Sequence, residues 1–496
     1  MYQTIVLFVL FSVIAYYGSQ LWRDRRVYLC LRHLPGPPSL PLLGSSYLFF
    51  GKTTSEIFYT FTQLTRKYSQ QGSPVRFYLG TMPFVIISRP EDARVILNSA
   101  ACLEKPWIYR FTPLEGIFSL PAQKWRLHRK IIQPSFSWNV LKSFIPLFQA
   151  KVHILLDNLQ IMANQHEPFD VYDYVSACTL DMVYATTLGL EMDIQRQPRC
   201  NYLEVLDELF ELVTKRVTNV LLHPEWLYRL TSHHRRESKA RQVFTTPAKE
   251  ILRHRPIKEE YSKENATTTA EPQILIQQLY AAAEKNCHFD RNAIEKELNT
   301  MIFGGNETTA STVANTLLLI AMHPPVQDQL ITELERIFGN NIDEISIQQL
   351  QQLEYMEMVL KESMRLFPIT AILGRTTESE VQLNQLTIPA GVNIAIDVFN
   401  IHRNPRYWGS DADMFIPERF QCFEHNPVAF LAFSAGPRNC IGKRYAWISM
   451  KIMLAGVLHR FRLSTELRME EVRLKAAMTI KVVNKHILTM SMRTKQ

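Results

Sequence analysis

The segment that most limits what this chain can become runs from Asp290 to Pro324-Pro325. Between a capping aspartate and the prolines that stop it, about 33 residues keep one helical pattern, roughly 50 Å long. A helix of that length needs a large body to bury it. Its middle, Phe303-Gly304-Gly305-Asn306-Glu307-Thr308-Thr309, sets two glycines, a charge and two β-branched residues in an apolar run. The glycines and the β-branched threonines are weak helix formers. Glycine allows a flat ligand or a small molecule to come close. The Thr308 hydroxyl can bond the Gly304 carbonyl four residues back and open a local groove. Taken alone, the segment reads more readily as a kinked packing helix without chemistry.

Two further clusters change that balance. In Lys361-Glu362-Ser363-Met364-Arg365-Leu366-Phe367-Pro368, Glu362 and Arg365 are neighbours on one helical face. A surface salt bridge is the ordinary reading. The apolar Leu360, Met364, Leu366 and Phe367 instead indicate a partly buried pair, whose geometry must offset desolvation. Pro417-Glu418-Arg419-Phe420 adds an arginine able to complete a three-member network. The decisive segment is Phe433-Ser434-Ala435-Gly436-Pro437-Arg438-Asn439-Cys440-Ile441-Gly442. Glycines on both sides of a cysteine describe a tight loop presenting one sulfur, and nearby backbone N–H groups would stabilise a thiolate. A lone thiolate lacks the partners for zinc but suffices as the protein ligand of haem iron. A nucleophilic cysteine is the rival reading, although no histidine stands close in sequence. A cysteine that only packs is the third.

Composition narrows the class. Among 496 residues there are 7 cysteines (Cys30, Cys102, Cys178, Cys200, Cys287, Cys422 and Cys440), an odd number with no pair at a metal-binding spacing. No disulfide framework is expected, and the body belongs in a reducing compartment. With 46% hydrophobic and 21% charged residues, collagen-like, mucin-like and mainly disordered classes are excluded. The formal net charge of +8 suits anionic lipid or an acidic partner. Nucleic acid is not an expected partner, because finger spacing, an RNA-binding aromatic signature and a long basic arm are all missing.

Residues 1–22 are mostly apolar from Ile5 to Tyr17, flanked by Tyr2, Tyr16, Tyr17 and Trp22 and followed by Arg23, Arg25 and Arg26. This pattern predicts a transmembrane signal anchor, with the body on the cytosolic side of the endoplasmic reticulum membrane. A cleaved signal peptide is the competing reading, against which no basic region precedes the apolar run. Residues 23–50, with Leu34-Pro35-Gly36-Pro37-Pro38, read as a basic, Pro/Gly-rich and stiff linker. Residues 51–496 form one large domain, mainly α with small β sheets. Within it, Val75–Leu79 and Phe84–Ser88 read as a hairpin, and helical patterns dominate from 124 to 251 with breaks near Gly189 and Pro224. Residues 256–272 read as an exposed polar loop. Residues 387–396 read as a second hairpin, and weak alternation runs from Val472 to Met490.

Taken together, these motifs resemble the microsomal cytochrome P450 monooxygenases, most closely insect members of the clan that contains the fatty-acid ω-hydroxylases. The resemblance covers essentially the whole chain. The family's F-x-x-G-x-R-x-C-x-G loop is matched by Phe433, Gly436, Arg438, Cys440 and Gly442, and its E-x-x-R pair by Glu362 and Arg365. P-E-R-F falls at 417–420, W-x-x-x-R at Trp125 and Arg129, and the oxygen-activating segment at Gly304 to Thr309.

The resemblance implies a cytochrome P450 fold, a single haem-thiolate domain behind the anchor, holding haem b through Cys440 as proximal ligand. Arg438, Trp125, Arg129 and Arg375 would hold the propionates, and Phe433 would pack beside the sulfur. Gly436 and Gly442 would shape the loop. Glu362, Arg365 and Arg419 would tie the proximal helix to it. Thr308 and Glu307 would face the distal side and relay protons. Electrons would come from an NADPH–cytochrome P450 reductase, with cytochrome b5 as a further donor, since no G-x-G-x-x-G fingerprint occurs here. The substrate would be lipophilic: a fatty acid, a hormone-like terpenoid or steroid, or a xenobiotic. A hydroperoxide isomerase needing no reductase is the alternative, and a non-catalytic haem-binding sensor or carrier a more distant one. Members of this clan commonly carry glutamate where this chain has Gly304, and there it can form an ester to a haem methyl; here the haem is expected to be held noncovalently apart from the Cys440 thiolate.

Overall fold

A computed structural model describes residues 24–69, 72, 74–197, 201–254, 274–285, 289–339, 342, 344–384, 386–421 and 427–493, with positions 15, 18, 19 and 22. The helices that position the site are α1 (Thr54–Tyr68), α2 (Ala122–Ile132), α3 (Ile145–Gln165), α4 (Val171–Val183), α5 (Asn201–Thr218), α6 (Arg291–Met322), α7 (Glu354–Leu366) and α8 (Lys443–Arg460). The strands are β1 (Val75–Leu79), β2 (Met82–Ile87), β3 (Phe169–Asp170), β4 (Ile372–Thr376), β5 (Val381–Gln382), β6 (Thr387–Ile388), β7 (Asn393–Asp397), β8 (Phe461–Ser464), β9 (Leu474–Ala477), β10 (Thr479–Val482) and β11 (Ile487–Met492).

Helix α6 is the axis of the molecule. Asp290 caps it by accepting the Ala293 N–H at 2.8 Å, and the Pro324-Pro325 pair starts the next helix. Ala310, Val313, Ala314 and Leu317 to Ile320 are all fully buried, as expected for a helix enclosed on every face. Its two central glycines do different things. A Cβ on Gly305 would stand 2.7 Å from Val183 Cγ2, so its bareness lets α4 pack directly on α6. A Cβ on Gly304 would meet nothing within 4 Å, because that side opens on a cavity.

The hairpin of β1 and β2 forms with the register Val75↔Ile86 to Leu79↔Met82. The break near Gly189 is a left-handed residue (φ +64°) closing a π turn after α4. The expected hairpin at 387–396 does not form. Instead β6 pairs with β5, while β7 lies parallel to β2 and antiparallel to β4, giving the order β1-β2-β7-β4. All five residues of β7 are buried, and a strand so covered needs partners on both edges. The loop expected at 256–272 lies outside the described residues. Cys30, Cys102, Cys178 and Cys440 are free thiols.

The expected transmembrane helix is corrected. A span needs about 20 consecutive apolar residues in one helix. Among the described residues no helix is long and apolar enough to cross a membrane, and most of the segment 1–22 lies outside them. The described residues are mainly α with small β sheets, and none of their helices is a membrane span. The membrane and endoplasmic-reticulum placement, which rested on that helix, is withdrawn with it. Within 23–50, residues Arg25–Leu31 form a short helix that buries Val27 and Leu31 against the β2 and β7 core.

Candidate active site

The cysteine loop is shaped by its backbone. The Cys440 N–H donates to the Phe433 carbonyl at 3.0 Å and the Asn439 N–H to that of Gly436 at 3.1 Å. Gly436 has φ +70°, and a Cβ there would lie 1.9 Å from the Leu97 carbonyl oxygen, so only glycine fits. From α2, Arg129 donates to the Asn439 carbonyl and side-chain oxygen, both at 3.0 Å. Its guanidinium thus braces the loop.

Behind the loop lies the network that fixes it. Glu362, Arg365 and Arg419 come together, the first two wholly buried. Arg365 uses all five of its N–H donors. Nε donates to Glu362 Oε2 (2.6 Å), and Nη2 to Glu362 Oε1 (2.8 Å) and the Met414 carbonyl (3.0 Å). Nη1 serves the carbonyls of His402 (2.8 Å) and Ala412 (2.5 Å). Arg419 Nε donates to Glu362 Oε1 at 3.0 Å. His402 continues the chain: its Nε2 accepts the Leu431 N–H at 2.8 Å, leaving Nδ1 to donate to the Arg365 carbonyl at 3.2 Å. Leu431 stands two residues before Phe433, so this buried histidine links the ion network to the loop. No spacing in the sequence marked it.

A cavity of about 560 Å³ is lined by Cys440 and Phe433 from one wall and by Gly304 and Thr308 of α6 from another. Cys440 is exposed and lines this cavity. Burial by the surrounding protein pushes the Cys440 thiol up, opposed by the Gly442 N–H and the charges of Arg129 and Lys443. Thr308 Oγ1 donates to the Gly304 carbonyl at 2.7 Å, and Thr312 repeats the pattern on Thr308 at 2.8 Å. These side-chain bonds divert two carbonyls of the α6 ladder beside the cavity.

Trp125, Arg129, Arg375 and Arg438 all line the cavity, and the sequence missed a fifth residue, Lys105. Burial, and then mutual repulsion with Arg375, pushes Arg438 down to about 10, and Lys105 is depressed by burial and by both arginines. Arg438 lies over the Trp125 ring at 4.8 Å and donates through Nη2 to the Leu120 carbonyl. Its Nε and Nη1 are buried without a partner. Such a cluster of cations with idle donors is complementary to carboxylates.

Glu307 goes elsewhere. It does not line the cavity but accepts from Tyr172 of α4 at 2.7 Å and pairs with Lys481 of β10 at 2.9 Å. Burial opposes its ionisation. Lys481 and the hydrogen bonds from Lys481, Tyr172 and Ser311 outweigh that and hold its carboxyl below the usual range.

A thiolate loop, a buried Glu-Arg-Arg network behind it and a threonine-notched helix across one apolar cavity define a haem-thiolate protein. The Cytochrome P450 family profile matches residues 34–489. Cytochrome P450 4c21 of Blattella germanica is 31% identical over 490 residues, covering 96% of this chain and 95% of that protein. Probable cytochrome P450 313a4 of Drosophila melanogaster is likewise 31% identical, over 96% of each chain. Cytochrome P450 4d2 of the same fly is 29% identical over 89% of this chain and 90% of the relative. The chain belongs to the cytochrome P450 family and is a monooxygenase of that class. Membership carries haem b with cysteine-thiolate ligation, an NADPH-dependent reductase as partner and a lipophilic substrate. The residues present fit that cofactor, because the unpartnered Arg438 donors and the crowded Lys105 and Arg375 face the same cavity as the sulfur.

Proposed function

We propose that this protein oxygenates a neutral lipophile, a terpenoid- or steroid-like compound or a xenobiotic, ahead of a free fatty acid. One observation carries the reading: Cys440 and Thr308 line a single cavity whose other walls, apart from four cations and several threonines, are mainly aromatic and aliphatic. Haem bound there would supply the activation of O2 and the transfer of one of its oxygen atoms to a C–H bond, the other leaving as water with two electrons from the reductase. The chain's own residues divide the remaining work. Cys440 ligates the iron, and Phe433 and the Gly436 and Gly442 turns enclose the sulfur. Arg375, Arg438, Lys105 and the Trp125 N–H hold the propionates, with Arg129 bracing the loop. Thr308 Oγ1 offers a hydroxyl to pass protons at the distal face.

Among the described lining residues the only cations are Lys105, Arg129, Arg375 and Arg438. Arg375 and Arg438 lie close enough to Lys105 to repel it, and Arg129 is spent on the Asn439 oxygens. None remains for a substrate carboxylate, and burying one unpaired is costly. Gly304 offers no side chain to esterify, which supports a haem held noncovalently apart from the thiolate. Arg126, Lys130, Lys443 and Arg444 are exposed on the elements flanking the cysteine loop and suit an acidic reductase face.

The test is turnover of neutral lipophiles with purified reductase and NADPH, alongside their fatty-acid counterparts, in wild type, Cys440→Ser and Thr308→Ala. We expect NADPH-dependent oxygenation favouring the neutral series. The thiolate-type reduced carbon-monoxide spectrum should vanish in Cys440→Ser, and Thr308→Ala should divert electrons into free hydrogen peroxide. A thiolate spectrum persisting in Cys440→Ser, or reductase-independent turnover, would overturn the proposal.

A further inference from the structure

Helix α5 and the β9–β10 hairpin both line the cavity, through Val213, Thr214 and Val217 on one side and Ala476, Met478 and Thr479 on the other. They meet through a regular charge pattern. Lys475 and Lys481 stand directly opposite each other in the hairpin register. Like charges so placed repel and weaken a two-stranded hairpin. The compensation comes from α5, where Asp207 and Glu211, four residues apart, project from one face. Lys475 Nζ lies 2.7 Å from Glu211 Oε1, and Lys481 Nζ pairs with Asp207. A cross-strand lysine pair therefore faces an i,i+4 acid pair.

The inner lysine does more. Lys481 is largely buried and also bonds Glu307 at 2.9 Å, and Tyr172 and Ser311 complete the shell of that carboxylate together with Thr479 at 3.4 Å. Thr479 itself lines the cavity. His486, the residue before β11, stacks on Tyr172 and lies 3.9 Å from Asp170, enclosing the cluster. One ammonium thus joins α5, the hairpin and the residue next to Thr308 on α6.

We propose that Lys475 and Lys481 form a two-point ionic clamp that closes α5 and the β9–β10 hairpin over the cavity, with Lys481 as the positioning residue that couples this closure to α6 through Glu307. Opening the wall requires the lysines to leave their acids, and closing it seats Lys481 on Glu307. The clamp rests on the cavity being the ligand site, as in the function proposed above, but not on which ligand enters.

The outer pair allows a test that leaves Glu307 untouched. In holoprotein, the release rate of 1-octylimidazole is followed by its haem spectral shift, and amide hydrogen exchange is measured across 201–218 and 474–482. Lys475→Glu should speed release roughly fivefold and raise exchange in both segments. The swap Lys475→Glu with Glu211→Lys should restore both values. Lys481→Met should speed release further and raise exchange around 304–309, whereas Lys481→Arg should stay near wild type. Unchanged release and exchange in Lys475→Glu, or failure of the swap to restore them, overturns the clamp. If the probe produces no spectral shift in wild type, the haem-site reading fails, while the exchange arm still decides whether the two elements are clamped.

Discussion

Replacing Arg365 by lysine keeps the charge and removes the fork. The guanidinium now serves five acceptors in a site with no exposure: both oxygens of Glu362 and the carbonyls of His402, Ala412 and Met414. Glu362 Oε1 would keep the Arg419 and Ile416 donors, but the other four acceptors depend on Arg365 alone. A lysine ammonium has three N–H donors, so at least one buried acceptor loses its partner. Each orphan costs about 1–3 kcal/mol. The loss is not confined to the helix, because the His402 ring donates to the Arg365 carbonyl through Nδ1 and accepts the Leu431 N–H at Nε2. Arg365→Lys should therefore lower the urea midpoint without a change of slope and reduce haem per chain in the same preparation. A midpoint shift worth less than about 1 kcal/mol, with normal haem content, would show that charge alone holds the loop and that the five-bond geometry is dispensable.

Gly436→Ala should be still more damaging to the loop than to the helices, because a methyl 1.9 Å from the Leu97 carbonyl oxygen cannot be seated at φ +70°. Haem content and near-ultraviolet dichroism should both fall, and wild-type values would refute the close approach. His402 sets a pH dependence. Burial, and then the Arg365 charge, pushes it down to about 3 from an unfolded value near 6.5. The stability it contributes is complete above pH 6.5 and is lost as the pH falls towards 3, by roughly 4–5 kcal/mol. Unfolding free energy should thus fall less steeply over that window in His402→Gln, and parallel curves would remove His402 as the cause.

The α6 helix, its Asp290 cap and its proline stop were readable because each is a local signal. So was the Thr308 back-bond to Gly304, which depends only on a four-residue offset. The direction of Glu307 was not. Successive helical residues point about 100° apart, so a place next to Thr308 does not settle which way Glu307 faces, and the packing of α4 and β10 decides it. Lys105 lies in an irregular stretch after Cys102 and reaches the arginines through the fold rather than through any spacing. The strand at 393–397 was readable as a strand, but its partners, β2 and β4, are chosen by tertiary contacts. The same holds for His402, whose role exists only once α7 and the segment before Phe433 are side by side.

The parallel pairing of β2 with β7 has a consequence for how the chain is made. It joins residues 84–87 to residues 393–396, roughly 300 positions later, and closing a loop of that length costs about 5 kcal/mol of chain entropy. The β1–β2 hairpin can form as soon as it emerges from the ribosome, but its second edge waits until about four-fifths of the polypeptide has been synthesised. During that interval β2 presents Phe84, Val85, Ile86 and Ile87, all buried in the finished protein, along an unpaired edge. A translation stop before residue 393 would leave this edge permanently open. Truncated chains of this protein should therefore associate through it.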